Sequence, residues 1–180
     1  MSSSTLLRLL AVLPLVSCSS NTERLGLPPL QTVPKVELSR YLGTWFEIAS
    51  IPQSFQRGCT GTQATYSLRS DGDIEVVNRC RKNSLAGVEE VATGRARVTD
   101  RATNAKLEVS FFGPFWGPYW VIQLGDDYDY AVVGNPDRDS LWILSRTPVM
   151  DPLLYSVIIT RLEAEKYPLD LLALTTQPQE

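Results

Sequence analysis

From about residue 40 onward, apolar and polar residues alternate with a period of two. Leu107, Val109 and Phe111 occupy one side of a run whose other side is Lys106, Glu108 and Ser110. Ala64, Tyr66 and Leu68 oppose Thr65, Ser67 and Arg69, and Gly94, Ala96 and Val98 oppose Arg95, Arg97 and Thr99. That period belongs to a strand with one face on an apolar interior and the other in water. Eight such runs follow one another, at residues 44–51, 62–69, 74–80, 90–99, 106–112, 119–124, 130–134 and 141–146. Turn-forming residues separate them, most clearly Ser70-Asp71-Gly72-Asp73, a hairpin signal. Short strands at this spacing predict a sandwich or barrel. The small residues Gly94 and Ala96 leave room inside it.

The period then changes. Asp151-Pro152 places a capping carboxylate before a proline suited to the first helical position. Leu154, Ile158 and Leu162 repeat along one helical face, with Val157 beside them, and Pro168 stops the pattern. A last apolar run at residues 169–174 predicts one more strand. The expected domain is all-β: an eight-stranded antiparallel up-and-down barrel, a C-terminal helix packed outside it, and a final short strand. Eight strands enclose an interior wide enough for side chains or one small ligand.

The first 17 residues form a different kind of segment. Arg8 precedes an apolar run from Leu9 to Val16, too short to span a bilayer and shaped like a secretory signal. It ends in Leu15-Val16-Ser17-Cys18, which resembles the bacterial lipobox, where a cysteine after a small residue is acylated. Cys18 is then the expected lipid anchor, and multiple acyl chains give stable attachment where a single chain does not. Serine rather than aspartate at position 19 points to the outer membrane, with the domain facing the periplasm. The division expected is a signal peptide at 1–17, an anchor and tether at 18–36, and the domain at 37–180.

The remaining cysteines, Cys59 and Cys80, form an even pair in an oxidising compartment. Pairing the runs 62–69 and 74–80 through the Asp-Gly turn brings both to one end, which favours a disulfide over two free thiols. The chain of 180 residues has a net charge of −3, scattered basic residues and no histidine. The basic pattern gives no reason to expect nucleic acid. The missing histidines remove Ser-His-Asp and Cys-His catalysis, the usual zinc sites and histidine-held haem. The expectation is a binding protein without metal or cofactor, not an enzyme.

Three motifs identify a family. Gly43-Thr44-Trp45-Phe46-Glu47-Ile48-Ala49 resembles the first block of the lipocalins. Asp127-Tyr128-Asp129-Tyr130-Ala131-Val132-Val133 resembles the second, and Leu141-Trp142-Ile143-Leu144-Ser145-Arg146-Thr147-Pro148 the third. All three occur in the family's order, and the similarity extends from about Leu38 to the C-terminus, nearest to the bacterial outer-membrane members. The resemblance implies that Trp45 closes the bottom of the barrel with Arg146 packed across its indole, both in structural roles. It also implies a fatty acid or lysophospholipid as ligand, a task in membrane maintenance, and a homodimer.

Alternation within each strand assigns Tyr66, Val76, Asn78, Val109, Phe111, Val121, Tyr130, Val132 and Trp142 to the ligand cavity. Asn78 and the tyrosine hydroxyls are candidates to hold a polar head. The loop from Gly113 to Pro118, with Phe115 and Trp116 at its tip, has two readings: packing on the barrel, or a patch for dimerisation or membrane contact. An enzyme using the barrel as its chamber, and a lipoprotein with a filled barrel, are the competing functions.

Overall fold

The computed structural model describes residues 26–179, so the signal segment and Cys18 lie outside the described residues. A short helix α1 (Leu38–Tyr41) precedes eight antiparallel strands: β1 (Gly43–Ser50), β2 (Cys59–Leu68), β3 (Ile74–Lys82), β4 (Glu89–Val98), β5 (Lys106–Ser110), β6 (Gly117–Leu124), β7 (Tyr130–Gly134) and β8 (Leu141–Ser145). Helix α2 (Pro152–Ala164) and the two-residue strand β9 (Ala173–Leu174) complete the chain. Each strand pairs with the next, and β1 pairs with both β8 and β2, so the sheet closes into a barrel. Closure removes the unpaired edges that an open sheet would expose.

β1 is shared between two neighbours. Its first half, Gly43 to Phe46, pairs with β2, and its second half, up to Ser50, pairs with β8 across a bulge between Glu47 and Ala49. The gap this leaves between β1 and β2 is filled by the C-terminal segment. β9 pairs with Ala49 and Ser50. Gln177 Nε2 donates to the carbonyls of Glu47 and Thr62, at 2.8 Å each. The final run predicted as a strand at 169–174 is therefore mostly a 3-10 turn, Leu169–Leu171, followed by the short β9.

Up-and-down topology sorts the loops. Those at 51–58, 83–88, 111–116 and 135–140 lie at one end of the barrel, and those at 69–73, 99–105 and 125–129 at the other. α1 and Trp45 shut the second end. Trp45 is fully buried, donates from Nε1 to the Tyr41 carbonyl at 2.8 Å, and lies under the Arg146 guanidinium, 3.7 Å from the ring centroid. Arg146 spends its donors on four carbonyls, those of Tyr128, Thr44, Arg40 and Tyr41. Gly43 begins β1 beside this guanidinium with a φ of +93°, a backbone conformation that favours glycine.

The helix packs on the flank, as its pattern predicts. Asp151 caps it, accepting from the amides of Leu153 and Leu154 at 2.9 Å. Ile158 and Leu162 are fully buried against Ile48, Tyr130, Val132, Leu141 and Ile143, whereas Val157 is exposed. The tether expected over 18–36 is shorter than its composition implies. Pro28 accepts from Arg138, Val33 donates to the Val121 carbonyl, and Val36 donates to the Thr103 carbonyl. Leu30 and Val36 are buried. Residues 28–36 form a strap along the barrel wall, held by apolar anchors spaced too widely to read as an element.

Cys59 and Cys80 are joined by a disulfide between β2 and β3, 21 residues apart in sequence. Converting both to serine should cost about 2–4 kcal/mol, as a cross-link over a loop of that size restricts the unfolded chain; urea unfolding with and without reductant measures it. Trp45→Ala should cost about 3–5 kcal/mol, with an unchanged m-value in the same experiment.

Candidate functional site

A cavity of about 630 Å³ fills the upper barrel and opens between the loops of the unshut end. That volume lies within the range of pockets that hold small ligands. Its wall is mostly apolar, with Ala64, Val76, Val109, Phe111, Trp142 and Leu144 reaching in from successive strands. Gly94 leaves a space that Phe111 occupies: a Cβ there would lie 2.7 Å from the phenylalanine ring. The room expected at Gly94 is thus taken by an aromatic side chain.

Three tyrosines floor the cavity. Tyr119 Oη lies 2.8 Å from Tyr41 Oη and donates to Tyr66 Oη at 3.0 Å. The rings of Tyr66 and Tyr119 meet edge to face at 6.1 Å. Burial raises the hydroxyls of all three, that of Tyr66 to about 12. The chain of hydroxyls stays protonated and satisfied, which lets polar atoms sit at the bottom of an apolar chamber.

One carboxylate faces the cavity from the middle of β1. Glu47 is buried, and it accepts from Ser50 at 3.0 Å, Thr175 at 2.6 Å and Gln56 at 2.8 Å. Trp142 Nε1 donates to Gln56 Oε1 at 3.1 Å, extending the network to the neighbouring strand β8. Among the described residues no cation pairs with Glu47. Thr62 Oγ1 and Asn78 Oδ1, also on the cavity wall, are buried with no protein partner. Unsatisfied polar atoms facing a chamber are groups a ligand or water can complete.

Of the nine residues assigned to the cavity from sequence, Tyr66, Val76, Asn78, Val109, Phe111 and Trp142 line it. Three do not. Tyr130 and Val132 point outward against α2, where Arg161 Nη1 donates to Tyr130 Oη at 3.3 Å. Every residue of β7 is buried, because the barrel covers one face and the helix the other, so burial carries no alternation from which to read the phase. Ala131 and Val133 are the inward pair. Val121 does face inward, but it lies two residues nearer the shut end than Tyr119, and the tyrosine floor closes above it. Sequence reasoning missed Tyr119, which shares the face of Val121, and Glu47, which shares that of Trp45; both follow from the period of two.

The lipocalin-like domain family matches residues 36–177. The chain belongs to the lipocalin family. It is 47% identical over 135 residues to the outer membrane lipoprotein Blc of Escherichia coli K12, covering 75% of this chain and 74% of that protein. It is also 36% identical over 156 residues to temperature-induced lipocalin-1 of Arabidopsis thaliana, covering 82% and 83%, and 38% identical over 135 residues to mouse apolipoprotein D, covering 69% and 67%. Among solved structures, insecticyanin from the tobacco hornworm superposes with a TM-score of 0.66 at 24% identity, over 85% of this chain and 87% of that one. The last likeness speaks for the lipocalin fold alone.

The raised tyrosines predict a pH limit. In the unfolded chain each hydroxyl ionises near its ordinary value of 10.0, whereas the fold keeps Tyr66 protonated to about 12. The fold therefore binds protons that the unfolded chain has lost, and this share of stability, complete below about pH 10, disappears as pH rises through about 12. The urea midpoint should fall steeply across that window, and Tyr66→Phe should make the fall shallower.

Proposed function

We propose that this lipocalin is an outer-membrane lipoprotein, anchored through acylated Cys18 and facing the periplasm, whose barrel binds one fatty acid or lysophospholipid. Its task is to store or transport that lipid for membrane maintenance, without converting it chemically. The observation that carries the reading is the apolar chamber of about 630 Å³, open at one end only. The outer membrane lipoprotein Blc proteins of E. coli, Citrobacter freundii and Vibrio cholerae, 41–47% identical, support the location.

The energetics suit a carrier. A dozen methylenes buried at ~0.8 kcal/mol each supply roughly 10 kcal/mol. Ordering the chain and immobilising the ligand cost several of these, which leaves micromolar binding, tight enough to hold a lipid and weak enough to release it. A filled barrel does not accord with the open chamber. Acid–base catalysis finds little support: Glu47 is tied to three donors, and Glu90, at the rim, pairs with Lys82 at 3.1 Å.

Displacement of a fluorescent fatty-acid analogue tests the reading. Palmitate and palmitoyl lysophospholipid should both compete in the micromolar range. Trp142→Ala should weaken them roughly tenfold, the equivalent of about 1.4 kcal/mol of lost contact. Failure of every such lipid to displace the probe would leave no place for this function.

A further inference from the structure

The polar groups of the chamber gather on one wall. Glu47 on β1, Thr62 on β2 and Asn78 on β3 line it, whereas Val109, Phe111 and Leu144 supply apolar surface from β5, the loop after it and β8. Gln177 Nε2 donates to the carbonyls of both Glu47 and Thr62, so those two residues lie side by side across the seam. Asn78 pairs with Ala64, the next residue on the same face of β2 as Thr62. Thr62 stands about midway between Cys59, at the open end of β2, and Tyr66 in the floor. The other charged residues on the cavity boundary, Arg79 and Glu90, are exposed at the rim.

These groups share a capacity to accept hydrogen bonds. The Trp142 indole can only donate, so Gln56 turns Oε1 to Trp142 and Nε2 to Glu47. Ser50 and Thr175 also donate to the carboxylate, both at Oε1. A carboxylate accepts about four hydrogen bonds, and Glu47 Oε2 holds the Gln56 amide alone, so a place remains on it. Its charge is felt at the floor: burial raises the Tyr66 hydroxyl, and the negative charge of Glu47 raises it further. Thr62 is only 7% exposed, and its Oγ1 has no protein partner. Asn78 Oδ1, an acceptor alone, has none either. Among the described residues, three acceptor oxygens and one negative charge without a cation therefore border the same apolar space.

We propose that this wall is a subsite for a primary ammonium, and that the barrel prefers a single-chain lipid that carries one. This rests on the reading of the chamber as a lipid site and adds a head-group preference to it. An ammonium brings three donors and a positive charge, which Glu47, Thr62 Oγ1 and Asn78 Oδ1 can match. Burying such a charge is costly unless it is both paired and hydrogen-bonded, and the wall offers both. A quaternary ammonium has the charge but no N–H. A carboxylate has neither, and brings acceptors and a second negative charge to a wall of acceptors, so a fatty acid keeps its head at the mouth. From Thr62 to Tyr66 is roughly 13 Å along the strand, depth for a dodecyl chain against Val76, Val109 and Phe111. The same ammonium chemistry ends a simple long-chain amine and the ethanolamine head of a lysophospholipid.

Displacement of a fluorescent fatty-acid analogue from the purified protein, at neutral pH and below micelle-forming concentrations, compares heads at constant chain length. Dodecylamine should compete at least about tenfold better than laurate and about threefold better than dodecyltrimethylammonium. Glu47→Gln should remove the advantage over laurate. Thr62→Val keeps the side-chain shape and every hydrogen bond of the seam; it should weaken dodecylamine about threefold and leave dodecyltrimethylammonium unchanged. Urea midpoints verify that the variants fold, and Thr62→Val decides alone if Glu47→Gln does not. Lauroyl lysophosphatidylethanolamine against lauroyl lysophosphatidylcholine identifies the source of the ammonium. An advantage for the first puts the ethanolamine head in the subsite; equality there, with dodecylamine still favoured, assigns it to long-chain amines. Laurate equal to or better than dodecylamine overturns the proposal and leaves the chamber a lipid site. So does an amine advantage that the folded variants retain in full. Displacement by none of these ligands overturns the chamber reading and this proposal together.

Discussion

The stacking of Arg146 on Trp45 is the constraint around which the barrel is organised. A closed sheet of eight strands needs one end sealed if the other is to hold a chamber that water does not run through. The indole supplies the plug, fully buried at the start of β1. The guanidinium, 3.7 Å above it, joins the parts of the chain that meet there: α1, the start of β1, the turn before β7 and the end of β8. A planar cation with several fixed donors can satisfy four carbonyls while lying on an aromatic face, and a lysine cannot. The three sequence blocks are therefore one structural unit, brought together at the shut end.

Above that seal the chain makes a different compromise. β1 leaves β2 halfway up and crosses to β8, opening a seam in the wall beside the cavity. The C-terminal segment closes it: β9 pairs with Ala49 and Ser50, and the Gln177 amide donates to the carbonyls of Glu47 and Thr62 on the two sides of the gap. The same seam holds Glu47, whose oxygens take donors from β1, from the 51–58 loop and from the C-terminal segment. The carboxylate thus ties the seam together while facing the chamber. Phe111 in the space at Gly94 and the tyrosine chain beneath it set the cavity's depth and width. The chamber is what remains after these groups have packed.

Much of this was legible in the chain. Strand number, the hairpin that pairs Cys59 with Cys80, the cap at Asp151, and the helical face of Ile158 and Leu162 all follow from local rules: period, turn chemistry and capping. Inward faces were readable wherever the outer face met water, as at Leu107, Val109 and Phe111. They were not readable on β7, where Tyr130 and Val132 turned out to face α2. The strap was also hidden. Its anchors, Leu30 and Val36, make no periodic pattern, and its polar composition looks like that of a free linker.

The sequence by itself determined the architecture and the seal, because alternation, turns and the Trp45 and Arg146 motifs act through neighbours along the chain or through a pairing that the strand order imposes. Only the tertiary structure decided which faces of a strand buried on both sides look inward, how deep the cavity runs, and at which end the N-terminal strap begins. Those depend on what the helix, the strap and the C-terminal segment cover. Coverage by distant segments leaves no periodic trace in the residues it hides.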